Sequence, residues 1–269
     1  MRLFEQLLTR NNCYIEGKIL NPAGVMVHST GADNPNLVRY VPGNAYIGWN
    51  TSGNHWDQSN AAWKRKFGVN LNKCVHAFIG KTADGGVATV QTLPWAMRGW
   101  HAGKSKGNNR YIGFEICEDG LDDPDYFRAA YREAVELTAM LCQQFGLDPL
   151  ADGVVICHAE GCKRGVASNH GDVLHWFPRH GKTMDDFRAD VARMMETEVI
   201  DMTEERLREI IREEVANMKA EAAKLPASGW AEKGLAEAVK LGITDGTRPQ
   251  DTATRQEVAL MVKAAIYAQ

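Results

Sequence analysis

Two histidines close two apolar runs of this chain. His28 follows Gly24-Val25-Met26-Val27, and His158 follows Gly153-Val154-Val155-Ile156-Cys157. Short β-branched runs bounded by Gly, Asp, Asn or Pro read as strands, so each imidazole is expected at a strand end, facing a cleft. Asp172 follows His158 in Ser168-Asn169-His170-Gly171-Asp172. Two neutral imidazole nitrogens and one carboxylate leave one position of a tetrahedral ion open, the ligand set of a catalytic rather than a structural zinc. Taken singly, any of these histidines reads more readily as a satisfied surface or core side chain, and spacing alone does not decide. His175 and His180 compete with Asp172 for the third ligand position. Cys157 and Cys162 flank His158 but lack the paired Cys-x-x-Cys spacing of a structural zinc site. The six cysteines are scattered, and most sit among apolar neighbours, where Cys packs as a small hydrophobe.

The elements that would position these residues alternate along the first 200 residues. Further strands are expected at Cys74–Ile79, which takes in His76 as a structural side chain, at Val87–Val90 and at Tyr111–Cys117. A helix begins at Asp123 as cap with Pro124 in its first turn. It carries Phe127, Tyr131, Val135, Leu141 and Phe145 on one side and stops at Gly146. A second helix follows Thr183, with Phe187, Val191, Met194 and Met195 inward. Interleaved strands and helices predict an α/β fold with a mixed central β-sheet flanked by helices. Near residue 200 the composition becomes charge-rich. Leu207, Ile211, Val215 and Met218 then recur at helical spacing within 203–224, a connecting helix able to self-associate. After Leu225-Pro226-Ala227-Ser228-Gly229 a small all-α module is expected, with helices around Glu232–Lys240 and Arg255–Tyr267. So small a unit buries little apolar surface on its own. The division reads as 1–200, a helical linker 201–226, and 227–269.

Three segments together resemble the type 2 N-acetylmuramoyl-L-alanine amidases, a family that includes the peptidoglycan recognition proteins. They are Val25–Thr30, then Trp100-His101-Ala102-Gly103 running into Asn109–Glu115, and Val155–His158 with Asn169–Asp172. Their order and spacing over residues 20–180 make the combination specific where each piece alone is weak. The resemblance implies zinc held by His28, His158 and Asp172, and it is the family pattern that prefers Asp172 over His175 and His180. It also implies a catalytic carboxylate at Glu115, which strand alternation turns to the cleft while Phe114 faces the core. His170 stands where many relatives carry Lys, a place suited to an oxyanion. The bond cut would join the lactyl group of N-acetylmuramic acid to L-alanine in peptidoglycan. Trp100, His101 and Asn109 are expected to meet substrate, with internal packing an equal reading for His101. Trp49, Trp56, Trp95, Trp100 and Trp176 offer flat surfaces for sugar rings, against core packing as the default.

Gly242-Ile243-Thr244-Asp245-Gly246 followed by Thr254-Arg255-Gln256-Glu257 is similar to one S-layer homology repeat, with Gln256 in place of the usual Ala. Thr254 and Glu257 would form a capping box, leaving Arg255 to face an anion such as a secondary cell-wall polymer. The plainer reading is a small helical oligomerisation or docking module with Arg255 merely solvated. Such repeats usually come in threes and one is found here, so a homo-oligomer, a trimer through residues 203–224 and this unit, is expected.

A net charge of −3 over 269 residues gives no reason to expect nucleic acid. No apolar run approaches the roughly 20 residues that cross a bilayer, and the first residues do not read as a secretory signal. The expected role is a phage or prophage endolysin of a Gram-positive host, made in the cytoplasm and acting on the wall after release. A bacterial autolysin, a non-catalytic peptidoglycan-recognition protein and a cytosolic recycler of wall fragments are the rivals.

Overall fold

The computed structural model describes residues 1–71, 73–198, 204–250 and 253–267. The chain divides into two compact units, Met1–Val199 and Ile200–Gln269. The expected boundary near residue 200 and the helix start at Thr203 lie outside the described residues.

The first unit is built on six strands: β1 (Leu3–Glu5), β2 (Gly24–Ser29), β3 (Ala77–Lys81), β4 (Val87–Gln91), β5 (Tyr111–Ile116) and β6 (Val155–Cys157). They lie in the order β1-β4-β3-β5-β2-β6. Only the β3–β4 pair is antiparallel, so the sheet is mixed as expected. Its helices are α1 (Asn12–Glu16), α2 (Asn60–Phe67), α3 (Ser105–Asn108), α4 (Pro124–Phe145), α5 (His158–Lys163) and α6 (Met184–Glu198).

Local signals explain α4 at both ends. The Asp123 carboxylate accepts from the backbone N–H groups of Asp125 and Tyr126, both at 3.0 Å. Gly146 ends the helix at φ 63°, a left-handed conformation that costs a residue without Cβ little. The inner side of α4 packs Phe127, Tyr131, Val135 and Leu141 against Val25, Val27, Ile112, Phe114, Ile116 and Val155, with Trp176, Phe177, Phe187 and Val191 closing the same core. Because side chains alternate along a strand, Met26, His28, Gly113 and Glu115 belong to the other side of the sheet. There the second apolar cluster (Leu37, Tyr40, Trp56, Phe78 and Val90 among others) covers β3 and β4. The polar pair His28 and Glu115 is thus left at the C-terminal ends of β2 and β5, where open α/β sheets tend to place ligands.

Several boundaries differ from the sequence expectation. His28 is inside β2 rather than after it, and His158 opens α5 directly after β6. β6 starts only at Val155, since Gly153 takes φ 76° and breaks the extended run. Residues 74–76 do not join β3. Cys74 makes an isolated bridge with Trp100, and His76 donates its backbone N–H to Gly113. The short β1, α1, α2 and α3 give too few residues for a periodic signal.

The second unit contains α7 (Glu204–Ala222), α8 (Glu232–Lys240) and α9 (Arg255–Tyr267). No residue of α8 or α9 is buried. The expected capping box is present. Thr254 N donates to Glu257 Oε2 at 2.7 Å, and Glu257 N donates to Thr254 Oγ1 at 3.2 Å.

Candidate metal and catalytic site

Parallel pairing assembles the site. β2 and β5 are in register with His28 opposite Glu115, and β2 and β6 with Val27 opposite Cys157, so His158 emerges next to His28. The loop after α5 brings Asp172 back across them. His28 Nδ1 lies 3.0 Å from His158 Nδ1 and 3.2 Å from Asp172 Oδ2, and His158 Nδ1 lies 3.5 Å from that same oxygen. Zinc bonds of about 2.0–2.1 Å in tetrahedral geometry place neighbouring ligand atoms about 3.3 Å apart. The three separations bracket that value. With both imidazoles offering lone pairs, a cation among the three atoms relieves their repulsion, and this donor set fits a single divalent ion. Among the described residues it is the one group of three or more such ligands.

The surroundings tune each group. Burial first, then the neighbouring His28, lowers the His158 pKa to about 4, which keeps the ring neutral for coordination. Burial also acts against the charge of Asp172 but is outweighed by His28 and His158, leaving its pKa below the ordinary value. His158 Nε2 lies 3.2 Å from Ser168 Oγ, which lies 3.0 Å from His170 Nδ1. Glu115 stands apart from these bonds. Its Oε2 is buried with no hydrogen-bond partner, and burial, with Asp172 adding to it, pushes its pKa well above the ordinary carboxylate value. A buried carboxylate oxygen without a partner is costly, and a raised pKa suits a group that takes and returns a proton near neutrality.

One cavity is lined by all of His28, His101, Glu115, His158, His170 and Asp172, together with Trp100, Trp56, Tyr40, Arg39, Lys73 and Ser168. Tyr40, Arg39, Lys73 and Ser168 carry no distinguishing sequence pattern: Arg39 and Tyr40 end one short 3-10 turn, and Lys73 and Ser168 arrive from loops. Asn109 departs from expectation. It caps the C-terminus of α3 and lines a separate hollow with Lys106, Arg110 and Asp152. The turn of α3 carries it away from the cleft. His175 pairs with Glu118 at 2.9 Å, and His180 stacks on Phe127 at 4.1 Å, so both are occupied outside the ligand cluster. Trp176 is core, Trp95 packs against the core and Trp49 is exposed. In the second unit Arg255 is exposed at the start of α9, and the hollow there is lined by Thr244, Asp245, Arg248 and Glu257 instead.

His76 sits behind the site as a structural residue. Its Nε2 donates to Met97 O at 2.8 Å and its Nδ1 accepts from Gly113 N at 3.1 Å, while burial lowers its pKa to about 4. An unfolded histidine titrates near 6.5. Between those values the unfolded chain binds a proton that the folded chain excludes, so stability falls as pH drops through this window. The contribution approaches about 1.4 kcal/mol per pH unit. Urea midpoints of wild type and His76→Gln between pH 7 and 4.5 check this: the variant is expected to show the shallower acid slope, and equal slopes would refute it.

A family model described as N-acetylmuramoyl-L-alanine amidase matches residues 19–174, more than half of the chain. Among solved structures, the Staphylococcus aureus hydrolase AmiA in complex with its ligand is similar, at 19% identity and TM-score 0.52, covering 72% of this chain and 83% of that one. A mutant endolysin from Bacillus subtilis is 21% identical with TM-score 0.43, covering 71% and 99%. The PlyG catalytic domain is 18% identical with TM-score 0.47, covering 72% and 96%. The likeness to AmiA concerns the fold. No curated protein sequence matches the chain.

Proposed function

The chain belongs to the N-acetylmuramoyl-L-alanine amidase family, and from that premise we propose how its own residues cleave the amide between N-acetylmuramic acid and L-alanine in peptidoglycan. The observation that carries the reading is the convergence of His28, His158 and Asp172 in one cavity beside Glu115, whose Oε2 has no partner.

His28, His158 and Asp172 would hold one zinc ion. When bound, zinc supplies Lewis acidity, polarising a carbonyl and lowering the pKa of water from about 16 toward ~7. Glu115 orients the attacking water and accepts its proton on the carboxylate, then delivers that proton to the departing alanine nitrogen. The products are a lactyl carboxylate and a free amine. His170, tethered through Nδ1 to Ser168, donates from its remaining nitrogen to the oxyanion that forms in between, a contribution of about 3–4 kcal/mol for one well-placed donor. Trp100 supplies a flat wall for substrate.

In this reading residues 1–200 are the catalytic domain, 201–226 a linker and 227–269 a wall-binding module similar to an S-layer homology repeat. Arg255 meets an anionic wall polymer. The exposed Ile211, Val215 and Met218 of α7 support self-association, which would raise avidity. The role is that of an endolysin acting at the wall of a Gram-positive host after release from its cytoplasm. Digestion of purified walls tests the activity: new alanine amino termini are expected without new reducing sugar, and walls bound but left intact in the presence of zinc would make this a recognition protein. Arg255→Ala is expected to reduce retention on whole walls several-fold while hydrolysis of a soluble muramoyl peptide stays unchanged. Undiminished retention would remove Arg255 from the polymer site.

A further inference from the structure

We propose that His101 is a positioning residue that fixes the tautomer of His28, so that Nδ1 of His28 offers its lone pair to the metal; the inference rests on the zinc site proposed above.

Tyr111 O is a carbonyl and can only accept, so the His101 Nε2 that lies 3.0 Å from it carries that ring's proton. A neutral imidazole has a single N–H, which makes His101 Nδ1 an acceptor. His28 Nε2 is 2.9 Å from this nitrogen and donates to it. The lone pair of His28 is thereby at Nδ1, the atom that faces His158 and Asp172. A backbone oxygen thus dictates, through one intervening ring, which nitrogen of His28 is available.

The place of His101 is built rather than incidental. Asn108, fully buried, accepts with Oδ1 from the backbone N–H groups of His101 at 2.9 Å and Ala102 at 2.8 Å. Gly113 makes room for the ring: a Cβ there would stand 2.3 Å from His101 Nδ1. Strand β5 therefore presents the Tyr111 carbonyl, the bare Gly113 and the Glu115 carboxylate at alternate positions. This gives a physical reason for the glycine of Ile-Gly-Phe-Glu and for the histidine of Trp-His-Ala-Gly. A ligand histidine held this way binds metal more tightly, and losing such an outer partner typically costs 10–100-fold in affinity.

The test is zinc competition against a chromogenic chelator with the full chain. It compares wild type, His101→Phe, which keeps a ring but no nitrogen, and His101→Asn, which keeps an acceptor near Nδ1. Long-range proton–nitrogen NMR of the zinc-loaded wild type reads the tautomers directly, whether or not a variant folds. We expect His101→Phe to weaken zinc binding about 10–100-fold, His101→Asn to recover part of it, and the proton of His28 to be found on Nε2. Wild-type zinc affinity in His101→Phe with a raised KM would make His101 a substrate contact and overturn the proposal. A proton on Nδ1 of zinc-loaded His28 would overturn it as well. Failure of the wild type to bind zinc would instead overturn the metal site itself.

Discussion

Glu115→Gln is expected to lower kcat about 10²–10⁴-fold while zinc affinity stays within a few-fold of wild type. The substitution keeps the shape of the side chain and removes its capacity to accept a proton. Three observations make Glu115 the carboxylate at issue. It stands opposite His28 in the β2–β5 register, its Oε2 has no partner, and it lines the cavity that holds the metal ligands. Burial, with Asp172 behind it, raises its pKa. A carboxyl raised on folding binds protons more readily in the folded state, so its contribution to stability is present at low pH and lost as pH rises through the folded value. At neutral pH the glutamine variant should therefore be as stable as wild type or more so, a common relation between active-site residues and stability. Alanine release from walls and a urea midpoint measured together separate the two effects. A variant that keeps wild-type turnover would remove Glu115 from the chemistry.

Asp172→Ala is expected to abolish hydrolysis by weakening zinc binding beyond the roughly 10–100-fold typical of an outer partner. The change leaves two histidine rings 3.0 Å apart with no negative charge between them and the ion. Zinc bound only to the folded state stabilises it by about 2.7 kcal/mol at a hundredfold excess over Kd, so wild type should gain thermal stability on zinc addition and Asp172→Ala should lose most of that gain. His175→Ala and His180→Ala serve as controls, since one pairs with Glu118 and the other stacks on Phe127. Both should retain one zinc per chain after dialysis against a weak chelator. If His175→Ala loses the metal and Asp172→Ala keeps it, the third ligand has been assigned to the wrong residue.

What the sequence determined by itself is what depends on near neighbours. The span of α4 follows from its Asp123 cap, its apolar spacing and its Gly146 stop, all interactions within a few residues of one another. The capping box of Thr254 and Glu257 was legible for the same reason. Strand alternation put Phe114 and Glu115 on opposite sides of the sheet, and the order of the three motif segments pointed to the family. Short elements such as β1 and α3 escaped because three or four residues carry no period. The motif segments named the metal ligands through the family resemblance, but only the tertiary structure brought them together, since His28 meets partners 130 and 144 residues away. Their approach depends on parallel strands joined by long crossover connections. The exclusion of Asn109 from the cavity and the contact of His101 with a backbone carbonyl were decided in the same way, and the structure places Asp172 rather than His175 in the ligand cluster, as the family pattern implies. Each turns on where a loop side chain points after packing, and no spacing along the chain encodes that direction.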